Sequence, residues 1–170
     1  FDNIKGYPEG FRVLSLAVVS RVRTALALRL PTDTKKMELV RLASRKLKES
    51  PRIPPVVVPS GPVMQNAMNA NDVDLYKFPA LKSHRRDGGR YIGTGDTVIM
   101  RDPDSGYVNV GTYRLQLHDK NLLGLWQSPG QQGRLIAEQY WKQGKACPVA
   151  ITFGGDPLVM MSSYTKFPWG

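Results

Sequence analysis

The stretch from Arg90 to Gln127, RYIGTGDTVIMRDPDSGYVNVGTYRLQLHDKNLLGLWQ, constrains this chain most. It holds three runs rich in β-branched, aromatic and leucine residues, separated by two turn signals. Thr97–Arg101 reads as a first strand. Asp102-Pro103-Asp104-Ser105-Gly106 then reads as a tight turn, because proline presets φ and glycine accepts a positive φ. Tyr107–Leu117 reads as a second strand, His118-Asp119-Lys120-Asn121 as a second turn, and Leu122–Gln127 as a third strand. The spacing predicts an antiparallel meander whose one face needs a cover.

The flanks offer that cover. Pro129–Lys142 places Leu135, Ile136, Gln139 and Tyr140 at helical spacing, with Gly144 as a stop. Val149–Phe153 reads as a strand, and Asp156-Pro157 as a helix start with Asp as N-cap and Pro in the first turn. Upstream, the apolar run Phe11–Val19 predicts a buried strand. Ser20 is a candidate N-cap for a helix over Val22–Leu30, stopped by Pro31. Thr32 or Asp33 is a candidate start for a second helix over Lys35–Glu49, with Met37, Val40, Ala43 and Leu47 on one face and Leu39 and Leu42 widening it. Residues 51–62 carry five of the thirteen prolines and predict an extended connector. The expected organisation is a helical and proline-rich lead-in over residues 1–60 and a main domain over 61–170. The expected class is α+β.

Several function classes are disfavoured by composition. No apolar run approaches the roughly 18 residues of a membrane span. Phe1-Asp2-Asn3-Ile4 is unlike a secretory signal, and a first residue other than Met reads as an incomplete N-terminus. Cys147 is the only cysteine, so no internal disulfide can form and a reducing cytoplasm is the expected compartment. His84 and His118 are the only histidines, too few for a His-rich zinc site. The net charge of +10 raises nucleic acid as a partner. Between Arg21 and Arg52 ten basic residues face only Asp33, Glu38 and Glu49. No aromatic residues interleave with them, which fits a solvated helix face better than a single-strand platform.

Two motifs carry candidate chemistry. The glycine-rich run Gly88–Thr97 could cradle a phosphate through backbone N–H groups, or be a loop entering a strand. It lacks both the strand–GxGxxG–helix setting and a Gly-Lys-Ser/Thr ending. In Asn109-Val110-Gly111-Thr112-Tyr113-Arg114, alternation puts Asn109, Gly111 and Tyr113 on one face and Val110, Thr112 and Arg114 on the other. A mid-strand glycine marks a bulge or a close approach, and an arginine there can clamp a carboxylate bidentately or simply be solvated. His118, in a turn, reads as a surface histidine.

The run DGGRYIGTGDTVIMRDPDSGYVNVGTYRLQLHDKNLLGLW, followed by SPGQQGR, CPVAITFGGDPL and a serine pair, closely resembles the UbiD-type (de)carboxylases, which use prenylated FMN. The likeness extends over the whole chain and is densest from Asp72 onward. It implies a split β-barrel related to flavin reductases, flanked by helices. By that resemblance Arg114 would be the catalytic arginine gripping the substrate carboxylate. Asn109 would ligate a divalent metal, Mn²⁺ or Mg²⁺, at the cofactor phosphate. Thr112, Tyr113 and Arg114 would line the flavin, bordered by Trp126, Gln127 and Ser128. Gln132 and Gly133 would continue that site, Gln132 standing where many relatives carry a metal-ligating His. An amide oxygen suits Mg²⁺ or K⁺ better than a transition metal. Ser162 and Ser163 would lie near the phosphate and a monovalent cation such as K⁺.

The resemblance also implies a mechanism. The flavin's iminium carbon would add to an unsaturated or aromatic acid, CO₂ would leave, and a carboxylic acid would deliver the proton. In the family the metal-binding Glu, the two catalytic acids and the cofactor-phosphate lysine come later, so they are expected beyond Gly170 and the chain alone is expected to be inactive. A flavin prenyltransferase would supply the cofactor, and the full-length protein would form a homo-oligomer. The alternatives are a non-catalytic flavin- or phosphate-binding barrel, favoured by Gln132, and, behind it, a basic nucleic-acid-binding module.

Overall fold

A computed structural model describes residues 1–51 and 53–165. The final residues of the last expected segment and Arg52, the end of the basic run, lie outside them. The chain divides into two compact units, one of residues 1–15 and 75–170 and one of residues 16–74.

The larger unit is α+β, as expected. It contains β1 (Arg90–Gly93), β2 (Thr97–Arg101), β3 (Val108–Gly111), β4 (Arg114–Asp119), β5 (Leu122–Trp126), α3 (Gln132–Lys142), β6 (Val149–Thr152) and α4 (Pro157–Ser163). The strands make two antiparallel sheets, ordered β1-β4-β5 and β3-β2-β6. Among the described residues no strand pairing joins the two sheets into a closed barrel.

The expected meander is corrected. The segment read as one strand over Tyr107–Leu117 is two strands in different sheets, interrupted at Thr112 and Tyr113. The interruption has a steric cause. The Tyr113 ring folds back over Gly111, where a Cβ would stand 2.7 Å from the ring carbon Cε2. Its hydroxyl then accepts a hydrogen bond of 3.1 Å from the Gly133 N–H in the first turn of α3. Met100 pairs with Asn109 before the break, and Arg114 pairs with Trp126 after it. The chain thus crosses between sheets three times, at Gly93–Asp96, at Thr112–Tyr113 and, by way of α3, between β5 and β6.

Between these sheets and α3 lies the core of Val98, Met100, Tyr113, Leu115 and Ile136, with Leu123, Leu125, Tyr140 and Ile151 packed against it. Leu115 and Ile136 are fully buried, each contributing about 2–3 kcal/mol from removal of apolar surface. The Asp102–Gly106 turn closes as its residues demand. The Asp102 carboxylate accepts from Asp104 N, Ser105 N and Ser105 Oγ, and Gly106 takes φ +73°. These donors, Ser105 N–H foremost, hold the Asp102 carboxyl below its ordinary range. At α4, Asp156 caps through Leu158 N at 2.7 Å with Pro157 in the first turn.

The predicted strand Phe11–Val19 does not form. Leu14 is 71% and Val19 72% exposed, because no sheet edge takes up this run. Phe11 instead stacks edge-on between Tyr7 and Phe78, and the Tyr7 hydroxyl accepts from Ala80 N.

The smaller unit carries α1 (Arg21–Ala27) and α2 (Lys36–Glu49). Ser20 caps α1 by accepting from Arg23 N at 3.2 Å. The α2 N-cap is Lys35 rather than Thr32 or Asp33. Leu39 is buried and Leu42 and Ala43 are half-buried, while Met37, Val40 and Leu47 are exposed. The packed seam is therefore rotated from the expected stripe. Among the described residues no helix is long and apolar enough to cross a membrane.

Candidate functional site

The string Asn109–Arg114 spans the second sheet crossing, and its alternation holds. Asn109, Gly111 and Tyr113 are buried, while Arg114 is exposed. The inward set meets α3. Gly133 lies so close that a Cβ there would stand 2.5 Å from Tyr113 Oη and 2.8 Å from Gln127 Nε2. Gln127 is itself buried and donates to Met100 Sδ at 3.4 Å. Tyr113, Gln127 and Gly133 therefore form one packed group joining β3–β4, the end of β5 and α3. Beyond β5, Ser128 N donates to Gln131 Oε1 at 3.0 Å, setting the turn that starts α3.

The outward set is a second group. Thr112 Oγ1 and Ser163 Oγ lie 2.5 Å apart, although 51 positions separate them in sequence. Ser163 Oγ also donates to Met160 O, and Ser162 Oγ to Val159 O, so both serines are anchored on α4. The Asn109 amide nitrogen is buried and, among the described residues, has no hydrogen-bond partner. Such a group calls for an acceptor, or for a flipped amide presenting its oxygen to a cation. Gln132 opens α3, half-buried. Asn109 and Gln132 offer two neutral amides, and the described residues hold no group of three His, Cys, Asp or Glu able to bind a metal. These residues do not complete the shell of a tightly held divalent ion.

Arg114 leads into a groove of about 370 Å³ on the solvent face of β1-β4-β5. Trp126, directly opposite on β5 and 68% exposed, forms one wall. Tyr91, opposite Gln116 on β1, forms the other. Gln116 and His118 continue the floor from Arg114 along β4, and among the described residues no Asp or Glu lines the groove. Its volume lies within the range of small-molecule sites, and its charge favours an anion.

His118 and Asp96 were missed from sequence as site candidates. A β-bulge leaves His118 unpaired between Leu117 and Asp119. Asp96, at the first crossing, is 5% exposed, and among the described residues neither carboxylate oxygen has a hydrogen-bond partner. Burial pushes its pKa up to about 6. An acid just after Gly-x-Gly at a strand entry was the available signal. The glycine-rich run itself closes on the chain's own side chains: a Cβ at Gly89 would meet Gln116 and one at Gly93 would meet Asp96. In the basic segment, Arg21 donates to Thr32 O and Thr34 O, and Lys46 to Leu28 O. These charges cap carbonyls of their own unit, which weakens a nucleic-acid role.

Residues 56–170 match the family model described as the UbiD 3-octaprenyl-4-hydroxybenzoate carboxy-lyase Rift-related domain. The pyrrole-2-carboxylic acid decarboxylase of Pseudomonas aeruginosa is 31% identical over 177 residues, which cover 100% of this chain and 36% of that protein. Among solved structures, the closed form of vanillic acid decarboxylase from Sedimentibacter hydroxybenzoicus is similar with a TM-score of 0.88 at 29% identity, covering 97% of this chain and 35% of that one. An evolved dimeric form of the UbiD-class enzyme HmfF from Pelotomaculum thermopropionicum, in complex with prFMN, gives 0.74 at 28% identity, covering 89% and 34%. The chain spans about a third of the length of the relatives it matches.

Proposed function

The chain belongs to the UbiD family, and from that premise we propose that it forms the carboxylate-gripping part of a prenylated-FMN-dependent decarboxylase of unsaturated or aromatic acids. The observation that carries this reading is Arg114, which lines one groove with Tyr91 and Trp126, a groove that among the described residues no carboxylate lines. A fork of N–H donors there binds a carboxylate in two parallel hydrogen bonds and fixes the acid's plane. Tyr91 and Trp126 offer flat surfaces to a planar substrate or ring system.

Thr112 and Ser163, brought to one place from two elements, and the orphaned Asn109 amide suit the polar margin of a flavin nucleotide. Tyr113, Gln127 and Gly133 would support that margin from behind, with Ser128, Gln132 and Ser162 at its edges. The prenylated flavin, delivered by a flavin prenyltransferase, supplies when bound an electron-poor carbon that takes up electron density as the carbon–CO₂ bond breaks. Arg114 orients the departing carboxylate. A proton then takes its place on carbon, and with no carboxyl group in the groove that proton comes from a group outside it. No step is assigned to a metal, because Asn109 and Gln132 alone do not fit one.

The test compares the full-length protein with its Arg114→Ala variant, each co-expressed with a flavin prenyltransferase. The wild type should carry the prenyl-flavin absorbance and release CO₂ from an unsaturated or aromatic acid. The variant should keep the chromophore and lose about 100-fold or more in turnover. The 170-residue chain alone should release no CO₂. Wild-type turnover by Arg114→Ala would sink the assignment, and CO₂ release by the short chain would place an acid where none is assigned.

A further inference from the structure

Building on the reading of Arg114 as the carboxylate grip, we infer that His118 is a specificity-determining residue of the same groove. It hydrogen-bonds the end of the ligand remote from the carboxylate. Three features of the fold bring it there. Arg114, Gln116 and His118 follow one another at alternate positions of β4 and share its solvent face. The bulge between Leu117 and Asp119 leaves His118 without a cross-strand partner, and a bulged residue is free to be re-aimed.

The third feature is Gly124. It lies on β5 opposite Gln116, not beside His118, yet a Cβ on it would stand 2.4 Å from His118 Nε2 and 2.8 Å from Cδ2. The imidazole therefore reaches back over the sheet into the groove, and only glycine leaves room for it. Among the described residues no group hydrogen-bonds the imidazole, so its N–H and its lone pair are both available to a ligand.

Arg114 and His118 flank Gln116 at steps of about 6.6 Å along the strand. A ligand lying over Gln116 between Tyr91 and Trp126 meets a guanidinium at one end and an imidazole at the other. The groove so built favours a planar acid whose far end carries a hydroxyl or comparable hydrogen-bonding group. An acid that is apolar there leaves the imidazole unpaired.

Calorimetric titration with benzoate and 4-hydroxybenzoate tests this, since the two differ only in the group opposite the carboxylate. Wild-type protein should bind 4-hydroxybenzoate about tenfold more tightly, the worth of one net hydrogen bond. His118→Phe, which keeps a ring of similar size, should bring the two acids to within about twofold of each other. Gly124→Ala, which evicts the imidazole without removing it, should do the same, with circular dichroism checking that both variants are folded. A wild type without preference, or a preference that survives in both variants, overturns the inference. Arg114→Ala should abolish binding of both acids. If it binds them as wild type does, the carboxylate reading fails whatever His118 does, and if neither acid binds wild-type protein both fail.

Discussion

Asp96 shows how a single buried side chain can set a pH dependence of the whole fold. It stands where the chain passes from β1 to β2, 5% exposed, with both oxygens unpartnered among the described residues. Burial raises its pKa from 3.8 to about 6, so the folded state holds the proton more tightly than the unfolded chain. Its contribution is therefore fully present below the unfolded value and is lost as pH rises through the folded one. Between those two values stability should fall by about 3 kcal/mol at most. Asp96→Asn keeps the neutral shape and should flatten that slope, read from urea midpoints at pH 4, 5, 6 and 7. An unchanged slope would show that Asp96 is ionised in the fold. Tyr113 is the complementary case at this scale. Its inward face was legible from period-2 alternation, but its hydroxyl's partner, the Gly133 amide, lies on another element.

Among elements, α1 shows a rule broken with its geometry kept. Its C-terminus has both bonds of a Schellman motif: Leu30 N donates to Ala25 O at 2.8 Å and Arg29 N to Leu26 O at 2.9 Å. The motif needs a left-handed residue, and here Arg29 takes φ +54° where glycine is usual. A residue with a Cβ pays about 1 kcal/mol there, so Arg29→Gly should stabilise the smaller unit by about 0.5–1 kcal/mol, measured as a rise in the urea midpoint of its helical signal. A fall would mean that the arginine side chain contributes more than the strain costs. The helix itself was legible through Ser20 and Pro31. The β3–β4 break was not, because two strands of one period on either side of Gly111 look like one strand until Tyr113 finds Gly133.

At the scale of the whole molecule, the two units differ in how much apolar surface they hide. Among the described residues the smaller unit's buried apolar side chains are Ala25, Leu28 and Leu39, whereas the larger holds Val98, Met100, Leu115, Leu117 and Ile136 among others. Opening free energy follows buried contact, so the amides of α2 should exchange with solvent about 100-fold faster than those of β2 and β4. Hydrogen–deuterium exchange read by mass spectrometry checks this, and equal protection would mean that the units open as one.

What the amino-acid sequence determined by itself is local chemistry. The Asp102–Gly106 turn, the Ser20 and Asp156 caps, the helices ahead of Pro51 and Gly144, and the inward and outward faces of Asn109–Arg114 all depend on neighbours within a few positions. The family likeness rests on the same ordered strings. Tertiary structure alone decided which sheet each strand joins, that Phe11–Val19 stays outside any sheet, and that α2 packs through Leu39. It also decided that Thr112 meets Ser163 and that His118 turns back over Gly124 towards Arg114. These outcomes depend on the space left by residues far away in sequence, and period and propensity carry no record of that space.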